Sequence, residues 1–86
     1  MAVLHSNKAA ALVMLNRCPE AEKAARRALQ LDPELISANY MLGIAMLMQG
    51  RITSETVAHL EVAAKMYPNA RKFLNLEAEL AARMKQ

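Results

Sequence analysis

Between Tyr40 and Met48 the chain is apolar nearly all round. A helix of that kind must be covered on several sides. The segments around it differ in polarity. The first, with Val3, Leu4, Leu12 and Val13, has little polar cover, whereas the last carries Arg71, Lys72, Glu77, Glu79, Arg83 and Lys85, charges suited to an outer face. Short joints separate five such segments, and each joint has helix-end chemistry. The pattern predicts a first helix over 2–15, stopped near Asn16, a residue tolerated in the left-handed conformation. A second starts at Pro19, with Glu20 and Glu22 in its first turn and Arg26-Arg27 further on, the polarity its dipole favours. Asp32 is expected to cap a third helix that opens on Pro33 and stops at Gly50. Thr53 or Ser54 caps a fourth, ending near Met66, and Asn69 caps a fifth that runs to about Met84. Connections of two to five residues make consecutive helices antiparallel hairpins.

The hairpins echo one another. Ala11-Leu12-Val13-Met14-Leu15-Asn16-Arg17 returns as Ala45-Met46-Leu47-Met48-Gln49-Gly50-Arg51, and Ala28-Leu29-Gln30-Leu31-Asp32-Pro33 as Ala63-Ala64-Lys65-Met66-Tyr67-Pro68. The offset is 34 at Arg17/Arg51 and 35 at Pro33/Pro68, so one residue is inserted in the second turn, where it does not rotate a helical face. A period in this range marks stacked helical repeats, whose units bury their apolar faces only against neighbours.

Composition supports the all-α reading. The 86 residues are 55% apolar, mostly Ala, Leu and Met, with 3% aromatic residues, two glycines and three prolines. β domains use more Val, Ile, Thr and aromatic residues. The net charge of +3 is dispersed along the chain rather than gathered on a face, which argues against nucleic acid. Cys18 is the only cysteine, so neither an intrachain disulfide nor a zinc site can be built from it alone. No run approaches the roughly 18 apolar residues of a membrane span, and no signal peptide is visible, so a cytoplasmic setting is the default expectation.

The echoed residues resemble the tetratricopeptide repeat, a helix-turn-helix unit. Ala9, Ala21 and Ala28 fall on the family's small positions in unit one, and Ala28-Leu29-Gln30-Leu31-Asp32-Pro33 is close to its usual ending. Leu42-Gly43, Gly50, Ala63 and Pro68 match in unit two. The resemblance implies unit one over 2–35, unit two over 36–70 and a terminal capping helix over 71–86. Small residues let neighbouring helices approach, with Leu12, Leu29, Leu31, Leu42 and Leu60 filling the spaces around them. There are departures. His5 and Asn39 replace a large aromatic, Lys8 stands where Leu42 stands in the next unit, Thr56 replaces a small alanine, and Ala25 replaces a bulky residue.

Such arrays bind a peptide or helix along a concave groove lined by the first helix of each unit. The register implies a groove formed by Ser6, Ala10 and Met14, then Ser37, Tyr40, Met41, Ile44, Leu47 and Met48, then Lys72, Asn75, Leu76 and Glu79. Its middle is apolar and methionine-rich, as adaptable binding surfaces are. A family subtype clamps two carboxylates of a chaperone tail. Asn7 and Lys72 fall on clamp positions, but Val3, Met41 and Leu76 do not match, so that subtype is rejected.

No catalytic set converges. Neither His5 nor His59 is followed at i+3 or i+4 by a second histidine or a carboxylate, Cys18 has no histidine near it in sequence, and Glu77 and Glu79 point to different sides of a helix. No phosphate-binding glycine loop is present. The expectation is a non-enzymatic protein-interaction scaffold without cofactor or metal, partnered by a protein or peptide and by neither nucleic acid nor membrane. The alternative is a structural segment that forms a homo-oligomer or docks to a larger repeat protein. Two units and one helix fall short of the roughly three repeats that stand alone, which predicts self-association or continuation into further repeats.

Overall fold

The computed structural model describes residues 1–84 and contains five helices with no strand among them: α1 (Ala2–Met14), α2 (Cys18–Leu31), α3 (Ile36–Met48), α4 (Ser54–Ala63) and α5 (Pro68–Met84). The last residues of the expected capping helix, Lys85 and Gln86, lie outside the described residues, as do the side chains of Glu77 and Arg83. Helix α1 packs against α2 and α3, α3 against α2 and α4, and α4 against α5. The result is an elongated body of 45 × 25 × 18 Å.

The first and third helices have equal lengths, start 34 residues apart and end the same way. Asn16 adopts φ 60° and Gly50 φ 77°. After α1, the Asn16 and Arg17 amides donate to Val13 and Leu12; after α3, the Gly50 and Arg51 amides donate to Leu47 and Met46. Both are the left-handed cap in which two turns of carbonyls are closed by backbone amides. Residues 15–17 join α1 to α2, and the longer segment 49–53 joins α3 to α4.

Three helix starts or ends differ from expectation. Asp32 does not cap α3. Its Oδ1 accepts from the Glu34 amide at 3.1 Å and its carbonyl from the Leu35 amide, so residues 32–35 form a turn and α3 begins at Ile36. Pro68, rather than a residue after an Asn69 cap, opens α5. Helix α4 ends at Ala63, with Met66 in the turn beyond it. Of the two expected caps for α4, Thr53 is the one used: its side chain accepts from the Thr56 amide, and the Thr56 hydroxyl accepts from the Thr53 amide.

Two apolar clusters hold the helices together. One joins Ala9 and Leu12 of α1 to Ala21, Ala24 and Ala25 of α2 and to Leu42, Ala45 and Met46 of α3. The other joins Ile44 of α3 to Leu60 and Ala63 of α4 and to Ala70 and Leu74 of α5. Val13 packs against both. Alanine dominates the first cluster because closely approaching helix axes leave room for little else.

Candidate functional site

Two of the expected groove residues are consumed by packing. Ser6 is buried, and its hydroxyl lies 2.8 Å from that of Ser37, bridging α1 and α3. Ile44, expected to face a ligand, is only 7% exposed and belongs to the second core cluster. Val13 from one side and Leu74 from the other pack into that cluster, so the middle of the expected groove is filled by the protein itself.

The remaining expected residues divide between two sides of α3. Met41 is half-buried against the first cluster. Met48 is 50% exposed, with its sulfur 3.9 Å from the Cys18 thiol. Tyr40 is half-buried and stacks on Tyr67, with centroids 4.7 Å apart and planes 4° from parallel. Leu47 and Ala10 are half-buried. Met14, at the end of α1, is 87% exposed. On α5, Lys72, Asn75, Leu76 and Glu79 are exposed, while Ala70, Phe73 and Leu74 make the contacts with the body. Of the expected apolar groove residues, Met14, Met48 and Leu76 are therefore exposed, and Tyr40 and Leu47 are half-buried.

Several open clefts lie away from these residues, and two of them flank α2. One, of about 410 Å³, is lined by His5, Lys8, Leu12, Glu20, Lys23, Ala24 and Arg27. The other, of about 310 Å³, lies between α2, α3 and α4 and is lined by Arg26, Leu29, Gln30, Leu42, Glu55 and His59.

Around this second cleft runs a polar network absent from the sequence reading. Glu22 accepts hydrogen bonds from Arg26 at 2.9 Å, from the Gln49 amide at 3.1 Å and from Arg51. Arg26 continues to Glu55 at 3.0 Å. Burial alone would raise the Glu22 pKa, but the hydrogen bonds from Arg26 and Gln49 and the charges of Arg51 and Arg26 outweigh it and hold the carboxyl below its ordinary value. The Arg26 hydrogen bond does the same for Glu55. The signal for this network is the i, i+4 spacing of Glu22 and Arg26; the cross-helix partners are brought in by tertiary packing alone.

His59 sits at the end of the network. Its Nδ1 is 2.8 Å from Asn39 Oδ1. Asn39 Nδ2 donates to the Leu35 carbonyl at 3.1 Å, which leaves Oδ1 as the acceptor facing the ring. His59 Nε2 has no hydrogen-bond partner and lies 3.6 Å from Glu55. The carboxylate neighbour of His59 is thus one turn before it, not after it. Among the described residues no group of three or more histidine, cysteine or acidic side chains could hold a metal ion, and no helix is long and apolar enough to cross a membrane.

Compared with known proteins, the chain matches no family model, and no curated protein or solved structure is significantly similar to it.

Proposed function

We propose that the chain is a non-catalytic protein-interaction module, a tetratricopeptide-like pair of helical hairpins with a terminal helix, and that it binds a peptide or helix on the shallow apolar surface around α3. The architectural part of this reading rests on the 34-residue offset between α1 and α3 and on their matching caps. The observation that carries the functional part is that Met14, Met48 and Leu76 are exposed and Tyr40 and Leu47 only half-buried. Flexible methionines suit a surface that adapts to its ligand. In this reading Cys18 is a packing residue against Met48, and His59 is a structural link between α3 and α4. A cytoplasmic setting belongs to the same proposal and rests on the lone cysteine.

Selection of helical peptides from a display library against the immobilised chain tests the proposal. Binders should lose affinity on Leu47→Asp with Met48→Asp while the circular dichroism of the chain stays unchanged. Binders indifferent to both changes would remove the surface from consideration. Ile44→Asp is unsuitable here, because it places a charge in the second core cluster.

The second reading, homo-oligomerisation, is favoured by the large apolar side chains left exposed on α1, among them Val3, Leu4 and Leu15. Light scattering over a concentration series separates the two. An oligomer that dissociates on Leu4→Asp supports the second reading, and a monomer at all concentrations supports the first.

A further inference from the structure

The internal repeat makes α1 and α3 directly comparable, and they differ in what covers them. On α3, Ala38, Leu42 and Ala45 are buried and Met41 is half-buried in the first cluster, and just after it Gln49 bonds to Glu22 of α2. Thirty-four residues earlier, Leu4, Asn7, Lys8 and Ala11 on α1 and Leu15 just after it occupy the same positions, and all are exposed. The face that α3 buries against the first hairpin is bare on α1.

The charges repeat the pattern. In the second unit, Arg51 reaches Glu22 and Glu55 reaches Arg26, both on the preceding helix α2. Their counterparts in the first unit are Arg17 and Glu20. These pair with each other at 2.6 Å, and each side chain is about half exposed. The clefts correspond too. Leu42, Glu55 and His59 form one wall of the second cleft, and α2 supplies Arg26, Leu29 and Gln30 as the other. Lys8, Glu20 and Ala24, their equivalents, line the first cleft, whose lining comes from α1 and α2 alone.

We propose that this face of α1 and α2 is a docking site for a helical hairpin of a separate protein. The second helix of that hairpin carries a glutamate and an arginine four residues apart, with a leucine three residues further on. The glutamate takes Arg17, the arginine takes Glu20, and the leucine enters the cleft. Lys8 stands where Leu42 stands in the second unit, and Lys23 and Arg27 add to the positive lining. The partner helix therefore ends on a further carboxylate rather than on the neutral Gln30 of α2. This inference rests on the repeat architecture of the proposed function but not on its apolar surface around α3, so protection of α1 and peptide binding at α3 fail separately.

The probe is a covalent copy of the required chemistry. Residues 1–35 are added ahead of Ala2, with Gln30→Glu in the added unit to meet Lys8. Linking the two raises the effective concentration of the added hairpin. Amide hydrogen exchange at Leu4, Asn7 and Ala11 of the resident α1 should slow by about tenfold or more, as expected when a helix face becomes covered. Glu22→Arg with Arg26→Glu in the added unit should abolish the protection, and Arg17→Glu with Glu20→Arg in the resident unit should restore it. Unchanged exchange at α1 would overturn the proposal, as would an added unit that stays unfolded beside a folded chain. Equal protection in the charge-reversed fusion would overturn the assigned chemistry.

Discussion

Gly43 and Leu60 meet so closely that a Cβ on residue 43 would lie 2.7 Å from Leu60 Cδ2 and 2.8 Å from its Cγ. The equivalent pair in the first unit is Ala9 and Ala25, both fully buried. Small against large in one hairpin thus replaces small against small in the other. Leu60 is 1% exposed, so its side chain would have to shift within the core. Gly43→Ala is expected to destabilise by up to about 2 kcal/mol, because an overpacking cost of about 1–3 kcal/mol is set against a gain of about 1 kcal/mol in helix propensity. Leu60→Ala alone should cost about 2–5 kcal/mol. The double variant restores the Ala9/Ala25 arrangement, so it should cost less than the sum of the two. Urea unfolding of the four proteins measures the coupling.

Glu22 ties α2 to α3 and to the turn after it, and its side chain is only 14% exposed. Glu22 and Glu55 both have pKa values held below the ordinary 4.5 in the folded protein. A carboxyl depressed by folding contributes stability that is fully present above its unfolded pKa. That stability is lost as pH falls through the lower folded value. Thermal midpoints should therefore be flat from pH 7 to about pH 5 as far as this network is concerned, then fall below about pH 4.5. Glu22→Gln should lower the midpoint at pH 7 and shrink its further fall in acid.

Arg51 and Arg17 occupy equivalent positions, yet only Arg51 crosses to another unit. Arg51→Ala should cost about 1 kcal/mol, discounted for its exposure, and Arg17→Ala a few tenths. Chemical denaturation distinguishes them, and equal costs would argue against a cross-helix role for Arg51.

Tyr40 and Tyr67 stack across the start of α3 and the corner before α5. Aromatic pairs contribute about 0.5–1.5 kcal/mol beyond the area they bury. Tyr67→Ala should loosen the start of α5, seen as faster amide exchange at Ala70 and Leu74, while α1 and α2 keep their protection. Tyr67→Phe should leave exchange near the parent rate.

The helices, their number and their 34-residue echo were legible because they follow from local chemistry: Asn16, Gly50, Thr53 and the apolar runs. The start of α3 was not. Asp32-Pro33 reads as a helix opening, but the Asp32 side chain and carbonyl both turn back on the amides just after it. The groove was half legible. Register places Ile44 on the same stripe as Met48, but the burial of Ile44 depends on Val13 and Leu74 arriving from distant helices. The Asn39–His59 and Glu22–Arg51 links are long-range for the same reason: neither partner carries a local sign of the other.

Methyl labelling of the seven methionines offers the most direct test of the proposed apolar binding surface. With a peptide selected against the chain, the Met48 and Met14 methyl signals should shift most, and Met41 less. The exposed Met66, in the turn after α4, should stay in place. Peptide binding that moves Met66 and leaves Met14 and Met48 unchanged would contradict the account.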